Sequence, residues 1–333
     1  MIIMPIIYNV ALLFIMMVPG VILKKCNFVS DGFGKGVSNL VLYIAQPSLI
    51  FLAYLREFDL EILINAIYVF AFSVLAHIIF AMAAFFSFKR TPDGMRRMLR
   101  FSTVFSNAAF MGIPLISAVL EPIYPGATLY ASIYNITFNL FLWSLGVYIC
   151  TEDRDEDGDG VTDGDIATDY HVVKKSTSKS LIKALIHPVT LAAALGLVFF
   201  LLPIHTYLPQ ILVDALVMMK NLVAPLSMLV IGLRLSDIDF KGITKDKGLF
   251  ECIMMRHILL PVALVLVIQL FALLIPIAPV VKNVVMILAA APVATSATMF
   301  AEKYDCDAAY VSKVVTVSTL LSIITMPLVM LLV

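Results

Sequence analysis

The chain has 333 residues, 61% of them hydrophobic and only 14% charged, and its 23 basic and 23 acidic side chains cancel. A soluble domain runs at about 45–50% apolar and about 25% charged, so this much apolar surface cannot be hidden from water in a core; mean hydropathy is +1.00, and the solvent is lipid. Zero net charge leaves no basic footprint of the kind a nucleic-acid binder carries, so no nucleic-acid partner is expected. The first apolar stretch, Met1 to Leu23, lacks a basic n-region and a small-residue cleavage site, and its Lys24–Lys25 pair follows it. It therefore predicts a membrane span rather than a cleaved signal. Stretches near the ~20 residues that cross a bilayer follow at 5–23, 37–55, 62–86, 99–120 and 128–150, then at 181–203, 210–235, 249–275, 283–301 and 309–333. The one long hydrophilic interval, 151–180, divides these ten spans five and five.

Lys and Arg gather in alternate gaps. The odd gaps hold Lys24, Lys25 and Lys35; Lys89, Arg90, Arg96, Arg97 and Arg100; Arg154, Lys174, Lys175, Lys179 and Lys183; Arg234, Lys241, Lys245 and Lys247; and Lys303. The even gaps have only Arg56, Lys220 and Lys282. The bias predicts a multi-pass protein of the cell membrane with both termini extracytoplasmic and the acidic loop in the cytoplasm. Pro47, Arg56 and Asp59 recur as Pro225, Arg234 and Asp237, an offset of 178, and Tyr130 and Ser132 recur as Tyr310 and Ser312, an offset of 180. An odd number of spans per repeat requires inversion. The expected fold is all-α integral membrane, ten transmembrane helices in two inverted five-helix repeats, 1–150 and 181–333, joined by the loop 151–180. Inverted repeats are typical of secondary transporters.

Spans 4 and 9 carry breakers at matching places. Span 4 contains Asn107-Ala-Ala-Phe-Met-Gly112-Ile113-Pro114, and span 9 contains Pro292-Val-Ala-Thr295-Ser296-Ala-Thr298. Proline removes a helical hydrogen bond, and in hydrocarbon the freed groups must meet protein or a watery cavity. Paired breaks of this kind mark binding sites, and crossing them would aim positive helix N-termini at the midplane, a geometry suited to an anion.

Asn107 to Pro114 fits N-x-x-x-x-G-x-P, and Pro292 is followed by Phe300-Ala301 and Tyr304. With Pro188, Gly196, Ala224-Pro225 and Gly232, these motifs give the chain a resemblance to the auxin efflux carrier family, which includes the plant PIN carriers and bacterial malate or malonate permeases. The resemblance implies a fold like that of bile-acid symporters and sodium/proton antiporters, with spans 4 and 9 broken and crossing at Pro114 and Pro292. It also implies that Asn107 lies at a substrate carboxylate, that spans 1, 2, 6 and 7 form a scaffold, and that a homodimer forms. The expected substrate-binding set is Asn107, Gly112, Ile113, Pro114, Pro292, Thr295, Ser296 and Thr298.

Other intramembrane polar residues, Gln46, Asn135 and Asn139, are expected to join helices by hydrogen bonds. Arg256 lies about two turns into span 8, where it could snorkel or draw anions from the cytoplasm. His77 is expected to be packed. No Asp or Glu sits securely in mid-span, which argues against sodium/proton antiport. Asp155-x-Asp157-x-Asp159-Gly160 begins like a calcium loop, but Ile166 stands where the bidentate Glu is needed. The scattered Cys26, Cys150, Cys252 and Cys306 have no metal-binding spacing. Neither a cofactor nor a metal is expected. A lipid-acting enzyme would need a motif such as H-E-x-x-H or G-x-S-x-G, and the sequence has neither; a receptor built on a carrier fold is the other alternative. The leading expectation is a non-enzymatic efflux carrier that moves a small organic anion by alternating access.

Overall fold

Where lipid replaces water, a chain must satisfy its backbone polar groups internally, and a helix does so within one segment. The computed structural model of the chain describes residues 3–30, 32–89, 91–151, 186–202, 207–236, 246–304 and 306–332, and every regular element among them is helical. In chain order these are α1 (Ile3–Lys25), α2 (Phe33–Tyr54), α3 (Leu60–Phe86), α4 (Asp93–Val104), α5 (Ala108–Val119), α6 (Ala127–Thr151), α7 (Pro188–Leu201), α8 (Gln210–Leu235), α9 (Lys247–Ala272), α10 (Pro279–Ala290), α11 (Ser296–Lys303) and α12 (Ala308–Met330). Seven of the described helices (α1, α2, α3, α6, α8, α9 and α12) are long and apolar enough to cross a membrane.

The fourth and ninth stretches are interrupted, as the paired breakers implied. The fourth stretch is two helices, α4 and α5, separated by Phe105–Asn107, and the ninth is α10 and α11, separated by residues 291–295. The sixth is represented by α7, of 14 residues. The basic segment read as a gap between spans 3 and 4 is largely helix, because α4 begins at Asp93 and carries Arg96, Arg97 and Arg100. Arg97 is buried there by donating to the Cys150 carbonyl at 2.8 Å. Arg100 lies over the Phe85 ring at 5.2 Å and donates to the Phe85 carbonyl. The calcium-like stretch Asp155–Gly160, with the rest of the acidic loop from residue 152, lies outside the described residues.

Small residues set the close approaches. At the crossing of α1 and α8, a Cβ on Gly20 would stand 2.3 Å from the Leu229 carbonyl oxygen, and one on Gly232 would stand 2.0 Å from that of Met17. Only glycine lets the two backbones touch, the usual device of helices packing without a hydrophobic driving force. Gly196 of α7 likewise lies against the Tyr54 ring of α2, and Phe51 and Phe199 meet edge to face at 5.2 Å. Helices α1, α2, α7 and α8 are thus bound to one another in pairs. In the remaining bundle α3 packs on α6, and His77 is a packed residue, as expected. Its ring stacks on Phe141 at 4.9 Å, and its Nδ1–H donates to the Ser73 carbonyl at 2.7 Å.

Four π turns interrupt the helices at Val41–Ala45, Ala108–Gly112, Leu142–Gly146 and Met255–Leu259. Each inserts a residue into the helical count and rotates the remainder of its helix, and such turns gather at functional sites. No sequence periodicity announced them, and all four adjoin the place where the two interrupted helices meet.

Candidate functional site

The two interrupted helices cross as short extended strands paired back to back. Ser106 and Val293 form an antiparallel bridge; the Asn107 N–H donates to the Pro292 carbonyl at 2.7 Å, and the Ala294 N–H to the Phe105 carbonyl at 2.9 Å. The pairing answers the backbone groups that a broken helix would leave exposed. Proline fits here because its carbonyl is used and its missing N–H is not needed. Pro292 is therefore at the crossing, as the resemblance implied. Pro114 is not: it sits in the first turn of the α-helical part of α5, buried, beyond the π turn. The resemblance placed the first crossing eight residues too late, because the paired backbone centres on Ser106 and ends at Asn107, the first residue of the N-x-x-x-x-G-x-P motif, instead of at its proline.

Both outgoing half-helices begin at this crossing, and the first N–H groups of a helix have no acceptor within it. The incoming half-helices end here too, leaving carbonyls unpaired. Arg256 answers those. It is 0% exposed; its Nη1 donates to the Thr103 carbonyl at 3.2 Å, Nη2 to those of Ala289 at 2.7 Å and Ala291 at 3.0 Å, and Nε to Ala291 at 3.2 Å. The Phe80 ring covers the guanidinium at 5.1 Å. One cation thus lies at the negative dipole ends of α4 and α10 together. It neither snorkels nor faces the cytoplasm to draw anions, since the carbonyls take its donors and no surface is left. Its neighbour His257 works on the same crossing. The Val293 N–H donates to Ser318 Oγ at 2.8 Å, so the Ser318 hydroxyl hydrogen is free to donate to His257 Nε2 at 2.7 Å. Thr325 Oγ1 donates to the Leu321 carbonyl, which leaves it to accept from His257 Nδ1–H at 2.8 Å. A neutral His257 with its proton on Nδ1 satisfies every partner in this chain.

Beside the crossing lies a cavity of about 100 Å³. From the predicted set, Asn107, Thr295 and Ser296 line it. The others do not: Pro292 serves the strand pairing, Gly112 makes room for Leu288, Ile113 and Pro114 are packed, and Thr298 Oγ1 accepts from Arg234 Nη1 at 2.7 Å. The lining also includes Gln46, Ser106, Asn135, Asn139 and His187, with walls from Phe110, Phe138 and Trp143. Gln46, Asn135 and Asn139 were legible as polar residues inside apolar spans, and the last two stand four apart on one helical face, but a helix-joining role was the expectation for all three. His187 gave no signal; it precedes Pro188 and caps α7, its Nδ1 accepting from the Val189 N–H.

Among the described residues lining the cavity there is no Asp, Glu, Lys or Arg. What it holds instead is unanswered polarity. Gln46 Oε1, Ser106 Oγ, Asn107 Nδ2, Asn135 Oδ1 and Ser296 Oγ are all buried without a hydrogen-bond partner, and a protein leaves few such groups unpaired. Among the described residues no group of three His, Cys, Asp or Glu is placed to hold a metal ion.

A family model for membrane transport proteins matches residues 5–330. No curated protein matches the chain.

Proposed function

Because the chain belongs to the membrane transport protein family of the auxin efflux carriers, we infer that this multi-pass membrane protein exports a small organic anion, a carboxylate, across the cell membrane by alternating access. The observation that carries the reading is the cavity at the crossing: uncharged walls, two half-helix N-termini and a buried Asn107 amide with no partner. Helix N-termini and neutral donors favour an anion by dipole and hydrogen bond. Without a lysine or arginine in the wall, the anion is held loosely enough to leave again, as a carrier requires.

The reading assigns α1, α2, α7 and α8 to a scaffold and the remaining helices, with both breaks, to a bundle that moves against it. The cavity suits this division, since Gln46 and His187 come from the first group while Asn107, Asn135 and Ser296 come from the second. Residues 1–150 and 181–333 are then the inverted halves, with both termini outside and the acidic loop in the cytoplasm. Substrate would enter between the two groups of helices and be released on the other face after they rock.

The test is Asn107→Ala in the purified protein, assayed for carboxylate binding and for flux in liposomes. The expected result is a loss of affinity of about tenfold, the worth of one hydrogen bond to a charged group, with an unchanged melting temperature because the amide has no partner to lose. Flux and affinity unaffected by the substitution would mean that the anion binds elsewhere.

A further inference from the structure

The five unpaired atoms of the cavity differ in kind. The Asn107 amide nitrogen is a donor and suits a carboxylate oxygen. Gln46 presents the opposite chemistry. Its Nε2 donates to the Ala109 carbonyl at 2.7 Å, and because a carbonyl can only accept, that contact fixes which end of the side-chain amide is nitrogen. The remaining atom, Oε1, is therefore an oxygen. It is buried without a partner in a residue that is 0% exposed, and the residue lines the same cavity as Asn107. An oxygen of this kind can only accept, and an anionic carboxylate has nothing to give it. A plain carboxylate would leave Oε1 unpaired and set two partial negative charges facing each other.

We propose that the transported anion also bears a hydrogen-bond donor close to its carboxylate, as a 2-hydroxy acid does, and that Gln46 Oε1 is the specificity-determining atom that receives it. The placement sets the spacing. Ala109, whose carbonyl holds the Gln46 amide, lines the cavity together with Gln46 and Asn107, so donor and acceptor open into the same small space. The volume agrees, since about 100 Å³ suits a compact acid with its hydroxyl on the adjacent carbon. Asn135, whose Oδ1 is also unpaired, extends the same accepting surface from α6. The proposal rests on the anion site inferred above. It adds a rule of selection: a site with a buried acceptor rejects the analogue lacking the matching donor, because the acceptor would otherwise be stranded.

The experiment measures binding of matched pairs to the full-length protein in detergent by calorimetry: lactate against propionate, and malate against succinate. The wild type is expected to bind the hydroxylated member of each pair roughly tenfold more tightly. Gln46→Met, which keeps length and removes the acceptor, should bring the ratio to about one, whatever happens to the absolute affinities. Asn107→Ala should weaken both members equally and leave the ratio intact. If Gln46→Met does not fold, Gln46→Asn, which draws the oxygen back by one methylene, replaces it, and the wild-type ratio is a test in its own right. A wild-type ratio of one, with binding still dependent on Asn107, would overturn the proposal while sparing the anion site, and would mean that water satisfies Oε1. A ratio surviving in the Gln46 variants would also overturn it, since another atom would be reading the hydroxyl. Binding that ignores Asn107 would remove the anion site and this proposal together.

Discussion

The two breaks do the same topological work with different supports. Around the second, side chains from three helices grip the backbone: Arg256 of α9 on Ala289 and Ala291, Ser318 of α12 on Val293, and Arg234 of α8 on Thr295 at 2.6 Å. The first break is held by the strand pairing, by Arg256 on Thr103, and by Gln46 on Ala109. It also keeps a buried side-chain amide, that of Asn107, unspent. The difference suggests a division of labour in which the second break, which leaves the Ser296 hydroxyl unspent, is the more firmly held frame and the first presents the amide chemistry. Groups already engaged by the protein have little left for a substrate.

That contrast can be broken most forcefully at Arg256. Arg256→Met strands three carbonyl oxygens in a dry interior, each worth about 1–3 kcal/mol, so a stability loss of about 3 kcal/mol or more is expected. Arg256→Lys keeps the charge but offers one compact donor group in place of a fork, and about half of the loss should return. Thermal unfolding in detergent reads both; a Met variant as stable as the wild type would mean that the crossing does not need its cation. A smaller effect is expected from Ser318→Ala, which removes the acceptor of the Val293 N–H and the donor to His257 together. About 1–3 kcal/mol should be lost, with faster amide exchange at Val293. If the second break is the fixed frame, this variant lowers stability and transport together, whereas Asn107→Ala lowers affinity alone.

How much of this was legible depended on whether the physics was local. The apolar stretches and the paired breakers are local, and they located both interruptions. The register of the first crossing was not legible, because Phe105–Asn107 contains neither proline nor glycine; its extended backbone is stabilised by pairing with Pro292 and Ala294, residues far away in sequence. Arg256 misled for the same reason. Nothing near it in the chain reveals that its partners are carbonyls of Thr103, Ala289 and Ala291, so a lone intramembrane cation looked like a snorkelling or anion-drawing group. Gln46 was visible as a polar residue, but the sequence could not show that only one end of its amide is satisfied. The π turns, which rotate Gln46 and the Arg256–His257 pair into place, leave no periodic trace at all.

The recurring arginines sharpen the comparison at the smallest scale. Arg234 ties the outgoing half-helix of the second break near its start, through the uncharged Thr295 carbonyl and Thr298 hydroxyl. Arg56 ties that of the first break beyond its far end, through the carboxylate of Glu121 at 3.2 Å. Asp59, the third member of the first triplet, caps α3 by accepting from the Glu61 N–H, while Asp237 lies outside the described residues. Glu121 sits in the turn between α5 and α6. Burial alone would raise its pKa, but the N–H groups of Gly126 and Thr128 and the nearby Arg56 outweigh it and hold the carboxyl below its usual 4.5. A depressed folded-state pKa stabilises the turn above the unfolded value, and that stability is lost as pH falls through the folded one. Acidification below about 4.5 should therefore lower the protection of the Gly126 and Thr128 amides, whose N–H groups donate to the carboxylate, relative to intrinsic exchange at each pH, and leave the protection of Thr295–Thr298 unchanged. Glu121→Gln should lower that protection at neutral pH and remove its dependence on acid. Equal acid sensitivity at both breaks would show that the two supports do not differ in kind, and the division between a fixed frame and a responsive one would fail there.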